Sequence, residues 1–178
     1  DPTMLIFGGM RSMKRTIDQV KAFEHAKALL PKLHLKIAGS NGGSYGQKVM
    51  TYIKGSFHAR DIEYVGKVSK EEKIEIMRKS HVITVASVEE GWGLIVTEAN
   101  SQGTPAVVYD VAGLRDSVQH NKTGLVTEER PEALASGVVT LLRDKSHYNT
   151  LRHNAWNWSK TITFEKCYND MKDILQNS

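Results

Sequence analysis

Cysteine occurs once in the 178 residues, at Cys167, so no disulfide can form within the chain and its stability must come from a packed core. That suits a reducing setting, and a cytoplasmic location is expected. No apolar stretch reaches the roughly 20 residues needed to cross a bilayer. The opening Asp1-Pro2 carries neither a signal-peptide pattern nor an initiator methionine, so the chain is expected to be cut from something longer. Long runs of one charge sign are missing too: 24 Lys and Arg interleave with 20 Asp and Glu to a net +4, which argues against a nucleic-acid-binding arm. That mild balance is common on solvated surfaces, and it also suits an anionic small molecule or the inner, anionic face of a membrane. Seven histidines are scattered with no pair at metal-ligand spacing, and no metal is expected.

What is present is a regular alternation. Short apolar runs fall at Met4 to Phe7, Leu33 to Ala38, Ile62 to Val65, Val82 to Ala86, Ala106 to Tyr109 and Leu125-Val126, giving six candidate strands. Between the first two, Ile17, Val20, Phe23 and Leu30 share one face of a helix that Pro31 closes. Ser69 and Glu72 form a capping box ahead of Ile74 and Met77. Strand and helix in turn imply right-handed βαβ units, hence an α/β fold with a doubly wound parallel sheet of about six strands. After Pro131 the pattern is helical only, through Leu134, Val138 and Leu141 to segments carrying Trp156, Trp158, Phe164 and Ile174. We therefore expect one domain over 1–178, with a core over 4–143 and a helical tail over 144–178.

Ligands of such sheets bind beyond the carboxyl ends of the strands, which singles out two loops. After Phe7 comes Gly8-Gly9-Met10-Arg11-Ser12-Met13-Lys14-Arg15: paired glycines let backbone approach a ligand, and three cations sit at a helix start that already favours anions. A phosphate fits there, and so does a plain tight turn with solvated cations. After Ala86 comes Ser87-Val88-Glu89-Glu90-Gly91-Trp92-Gly93-Leu94, leading into a helix that carries Glu98. Here Gly91 and Gly93 free the backbone, the helix start offers N–H groups to a phosphate, and Glu90 suits the hydroxyls of an attached sugar. Glu98, in the second turn, leans back toward the helix start and can meet a ribose; as a solvated helix residue it would look the same. A third stretch, Gly39-Ser40-Asn41-Gly42-Gly43-Ser44-Tyr45-Gly46, has neither dinucleotide-binding spacing nor the lysine and hydroxyl of a P-loop, and is read as one loop, a tight turn or a ligand contact alike.

The span Ser87 to Pro105, with glutamates at 90 and 98 followed by Ala99-Asn100-Ser101-Gln102-Gly103-Thr104-Pro105, resembles the donor-site region of retaining glycosyltransferases of the glycogen synthase and sucrose synthase type. The resemblance runs from Phe7-Gly8 and Lys14 through Ile37-Ala38-Gly39, Tyr64-Val65-Gly66, Asp110 to Leu114 and Thr123 to Val126. It implies a Rossmann-like domain forming the C-terminal half of a two-domain GT-B fold, with an acceptor-binding N-terminal domain outside this chain. It implies Lys14 and Glu90 as the catalytic pair. Gly8, Arg11, Lys14, Arg15, Gly91, Trp92, Gly93, Leu94 and Glu98 would hold a nucleotide diphosphate sugar as donor substrate, with no further cofactor. The acceptor would be a glycan, lipid or small molecule, in a protein that is cytoplasmic or peripheral on the inner membrane face. Where the family usually has an arginine, this chain has Gly9, leaving Arg11 and Arg15 as the cations that could replace its charge. A nucleotide-sugar epimerase of the same fold and a non-catalytic nucleotide-sugar-binding module are the alternatives.

Overall fold

The computed structural model describes residues 1–176; the side chains of Phe164, Cys167 and Ile174 lie outside the described residues. Six strands form one sheet: β1 (Thr3–Phe7), β2 (His34–Ala38), β3 (Ile62–Gly66), β4 (Val82–Val85), β5 (Ala106–Tyr109) and β6 (Gly124–Thr127). Their order is β3-β2-β1-β4-β5-β6, and every neighbouring pair is parallel. β4 and β5 are buried at every position. Their Val, Ile and Thr side chains suit a pleated layer covered on both faces, which is why they read as continuous apolar runs rather than alternating ones.

Eight helices follow from equally local causes: α1 (Thr16–Leu29), α2 (Gly43–Gly55), α3 (Lys70–Lys79), α4 (Leu94–Ser101), α5 (Leu114–Ser117), α6 (Pro131–Arg143), α7 (Lys145–Thr161) and α8 (Phe164–Gln176). The capping box of α3 forms as expected: Glu72 N–H donates to Ser69 Oγ at 3.1 Å, and Ser69 N–H donates to Glu72 Oε2 at 2.7 Å. Pro131 sits at the first helical position of α6, where its missing N–H is of no consequence. Helix α1 buries Val20, Phe23 and Ala26 and packs on α6, while α7 packs against both α4 and α6. Burying each large side chain of this core contributes roughly 1.5–3 kcal/mol.

One local reading differs. The glycine-rich stretch is not loop to its end, because α2 already begins at Gly43, capped by extended Gly42 with no side-chain hydrogen bond. Composition signals a turn there, but the backbone of Gly46 lies against the Asn41 carbonyl, where a Cβ would be only 2.0 Å from the oxygen. The glycine thus serves a close approach inside a helix rather than a bend.

The strand order places the site. From β1 the chain winds outward to β2 and β3, then returns to lay β4 on the other side of β1. The connections leaving β1 and β4 therefore part in opposite directions, opening a crevice at their carboxyl ends.

Candidate functional site

One wall of that crevice is the loop after β1. Gly8 N–H donates to the Ala38 carbonyl at 2.8 Å and Met10 N–H to the Ser40 carbonyl at 2.8 Å, so the loop is pinned to the end of β2. A 3-10 turn over Ser12–Lys14 follows, and the chain then bends sharply into α1 through Arg15, at φ 44° and ψ 45°. A left-handed non-glycine residue costs roughly 1–2 kcal/mol. The bend sends Lys14 inward and Arg15 outward. The Lys14 carbonyl accepts from Gln19 Nε2 at 2.9 Å, and Gln19 Oε1 accepts from Thr84 Oγ1 on β4 at 2.9 Å. Both Gln19 and Thr84 are buried.

The facing wall is the loop after β4. Val88 N–H donates to the Met13 carbonyl at 2.8 Å, tying the two loops together. Lys14 Nζ forms an ion pair with Glu90 Oε1, the same oxygen that accepts from Ser87 Oγ at 2.8 Å. Glu90 is thus turned back across the crevice and is not part of a helical turn. Its backbone is backed by Gly113, at φ 76°: a Cβ there would lie 2.2 Å from the Glu90 carbonyl oxygen. Gly93, in the left-handed region, ends the loop as the cap of α4, which has no side-chain N-cap, so the first turn of that helix presents backbone N–H groups at the crevice.

Of the expected site residues, Gly8 and Lys14 line the cleft between β1 and β4, together with Gly9 and Ser87, and Gly91 to Leu94 carry the chain from Glu90 into the start of α4. A Cβ placed on Gly9 would lie 3.0 Å from Ser40 Oγ and 3.8 Å from Arg11 Nε, so the Arg11 guanidinium lies beside position 9. Arg15 does not point into the cleft: its Nη1 pairs with Glu129 Oε2 at 2.6 Å and its guanidinium carbon lies 5.6 Å from the Tyr109 ring centroid. The Trp92 indole turns along α4, donating from Nε1 to Thr97 Oγ1 at 3.0 Å. Glu98 Oε1 pairs with Lys73 Nζ at 2.6 Å, and that ammonium also sits 5.3 Å from the centre of the Phe7 ring at the end of β1. Lys73 was invisible to sequence reasoning, because nothing local to α3 marks it as facing a residue of α4.

The more capacious hollows lie elsewhere. One of about 530 Å³, lined by Arg78, His81, Tyr148 and Arg152, opens at the amino-terminal edge of the sheet. We place the functional site at the opposite edge, where the charged pair and the free helix start meet. Among the described residues no group of three or more His, Cys, Asp or Glu converges as a metal site, and no helix is long and apolar enough to cross a membrane.

The sequence profile of the family described as "Glycosyl transferases group 1" matches residues 1–158. A D-inositol 3-phosphate glycosyltransferase of Jonesia denitrificans is 29% identical over 119 residues, covering 66% of this chain and 28% of that protein. Among solved structures, Anabaena HepE in complex with UDP and glucose superposes with a TM-score of 0.85 at 17% identity, covering 99% of this chain and 48% of that one. Sucrose-phosphate synthase of Thermosynechococcus elongatus superposes with a TM-score of 0.84 at 23% identity, over 99% of this chain and 45% of that one. The chain thus spans about half or less of each of these proteins, and the six-stranded parallel sheet is one domain of a GT-B architecture.

Proposed function

The chain belongs to group 1 of the glycosyl transferases, and from that premise we propose that it is the donor-binding domain of a hexosyltransferase of the retaining, glycogen and sucrose synthase-like type. The donor is a nucleoside diphosphate sugar, and a second domain brings a glycan, lipid or small-molecule acceptor. The observation that carries this reading is the meeting of Lys14 and Glu90 across the β1–β4 crevice. Without ligand the two charges neutralise each other. A donor separates them: the ammonium turns to the diphosphate, and the carboxylate accepts hydrogen bonds from the hydroxyls of the sugar to be transferred.

As the bond between the anomeric carbon and the phosphate oxygen breaks, negative charge grows on the departing diphosphate. Lys14, Arg11 and the N–H groups at Gly91 to Leu94 are fixed donors aimed at that charge, and such preorganised donors stabilise a transition state more than a ground state. Gly8 lets the backbone approach the phosphates, Trp92 braces the first turn of α4, and Glu98 receives the ribose once Lys73 shares it. Arg11, lying beside Gly9, supplies the charge that the missing family arginine would give. HepE's complex with UDP and glucose supports this donor chemistry, and the name of the Jonesia relative supports glycosyl transfer.

Calorimetry with UDP, GDP and ADP, each against its bare nucleoside, tests the reading. We expect at least one diphosphate to bind, and Lys14→Ala to weaken it by roughly tenfold or more while leaving the nucleoside nearly unchanged. Equal losses for both ligands would point to a folding defect. No binding of any nucleotide would sink the donor site.

A further inference from the structure

Arg15 stands directly after the lysine of the proposed site, yet the structure gives it other partners. It is one of two described non-glycine residues with positive φ. Its carbonyl accepts from Gln19 N–H at 3.2 Å, and its side chain, only 25% exposed, reaches the carboxyl ends of β5 and β6 to meet Glu129 and the face of Tyr109. Tyr109 is fully buried at the end of β5, and burial holds its phenol proton well above the ordinary tyrosine range, so that face stays neutral and presents its π cloud to the cation.

We propose that Arg15 is a positioning residue for Lys14: Glu129 and Tyr109 hold its guanidinium outside the crevice, and the left-handed turn so fixed aims the Lys14 ammonium at Glu90. The physical ground is a misfit between residue and conformation. An arginine in the left-handed region is strained, and such strain persists only where the surroundings over-determine it. Here the surroundings are an ion pair and a ring contact on one side and the Gln19–Thr84 relay on the other. The peptide between Lys14 and Arg15 is itself held, its carbonyl by Gln19 and its N–H by the Ser12 carbonyl at 3.0 Å; the anchoring of the Arg15 side chain on Glu129 and Tyr109 adds to this by keeping the second cation of the turn out of the crevice. The inference rests on reading Lys14 as a diphosphate ligand, but its consequence for Lys14 can be measured without any nucleotide.

Two readouts on the same variants decide it. The first is the rate at which Lys14 Nζ is acylated by acetic anhydride in the ligand-free chain, read by peptide mass spectrometry. Arg15→Gly fits the turn without strain and keeps the fold, so its melting temperature should equal or exceed that of the parent. Its Lys14 should nevertheless react faster, as should that of Glu129→Gln, while Arg15→Lys should restore much of the protection. The second is affinity for UDP against uridine. Arg15→Gly and Glu129→Gln should weaken UDP by about three- to tenfold, the coupling expected between neighbours in one polar network, and leave uridine alone. In a Lys14→Ala background neither change should cost anything further. Unchanged Lys14 reactivity in both variants overturns the proposal whether or not a nucleotide binds. So does tighter or unchanged UDP binding by Glu129→Gln, which would mean that a released Arg15 touches the phosphates itself. Failure of the donor-site reading looks different: UDP affinity would be absent or insensitive to Lys14→Ala, while the acylation rates would still report the turn.

Discussion

At Glu98 a carboxylate is held by one ammonium, 46% exposed, at the edge of the crevice. An exposed pair of this kind contributes little to folding, of order 0–1 kcal/mol, so the residue can be changed without losing the domain. If its oxygens receive the ribose hydroxyls, Glu98→Ala should weaken a ribonucleoside diphosphate by roughly 1.5–3 kcal/mol, about tenfold to a hundredfold. The same substitution should matter far less for a 2′,3′-dideoxy diphosphate, which has no hydroxyl to offer. Titration of the two ligands against both proteins measures this difference, and equal losses would remove Glu98 from the ribose site. Loss of the carboxylate also removes an ion pair that salt screens, while Lys73 keeps the Phe7 ring as a partner, so a modest fall in the salt sensitivity of folding is expected alongside.

At the scale of elements, the amino-terminal edge of the sheet carries the pH response. His81, just before β4, accepts the Thr3 N–H on Nδ1 at 3.1 Å, a bond that only the unprotonated nitrogen can make. Burial first, and Arg152 after it, lower its pKa below the ordinary 6.5. A histidine whose folded pKa is depressed takes up its proton more readily when unfolded, so its contribution is present above about pH 6.5 and is lost as pH falls from there through the lower folded value. Asp61 and Glu75, lowered chiefly by hydrogen bonds from Lys27 and Lys79, follow the same sign, but only below the ordinary carboxylate range. The melting temperature should therefore decline in two stages, the first setting in as pH falls below about 6.5. His81→Asn, whose amide oxygen can accept the Thr3 N–H at any pH, should flatten that first stage and leave the second. An unaltered profile would assign the decline to other histidines.

The elements themselves were largely legible from the sequence. All six apolar runs became strands: along β4 and β5 burial is continuous and needs no alternation to be seen, while edge strand β3, with no buried position, was marked by its Ile, Tyr and Val alone. Ser69, Glu72, Pro31 and Pro131 marked helix ends through bonds a few residues long. What stayed hidden depends on approach between distant segments: the Gly113 backbone against Glu90, Lys73 against Glu98, and the outward turn of Arg15 to Glu129. Sequence spacing could put Lys14 and Glu90 on neighbouring loops, but not say which of two adjacent cations would face inward. That was settled by a left-handed residue where no glycine announced one.

At the scale of the molecule, the crevice is, on the proposed reading, one wall of an enclosure. Met13, Val88 and Leu94, at 43%, 51% and 68% exposure, border the crevice on both walls. A second apolar stripe runs along α8, where Tyr168, Met171 and Leu175 are 70%, 60% and 75% exposed. Fast transfer needs an acceptor oxygen oriented against the anomeric carbon and water kept away, and holding two reactants in place can supply roughly 7–11 kcal/mol of the barrier. On that reading Lys14 and Glu90 serve the donor, and the residue that orients the acceptor has to come from outside this chain. Binding and transfer should therefore separate. The chain alone should bind a nucleoside diphosphate with a dissociation constant on the order of micromolar to millimolar and turn over a labelled nucleotide sugar at a negligible rate. Joined to the remainder of a full-length protein, it should gain transfer by orders of magnitude and protect the backbone around Met13, Val88 and Leu94 from hydrogen exchange. Product detection and exchange mass spectrometry on the two forms make the comparison. Robust transfer by the chain alone would refute the half-enzyme reading, because the acceptor would then have to be oriented by residues already present.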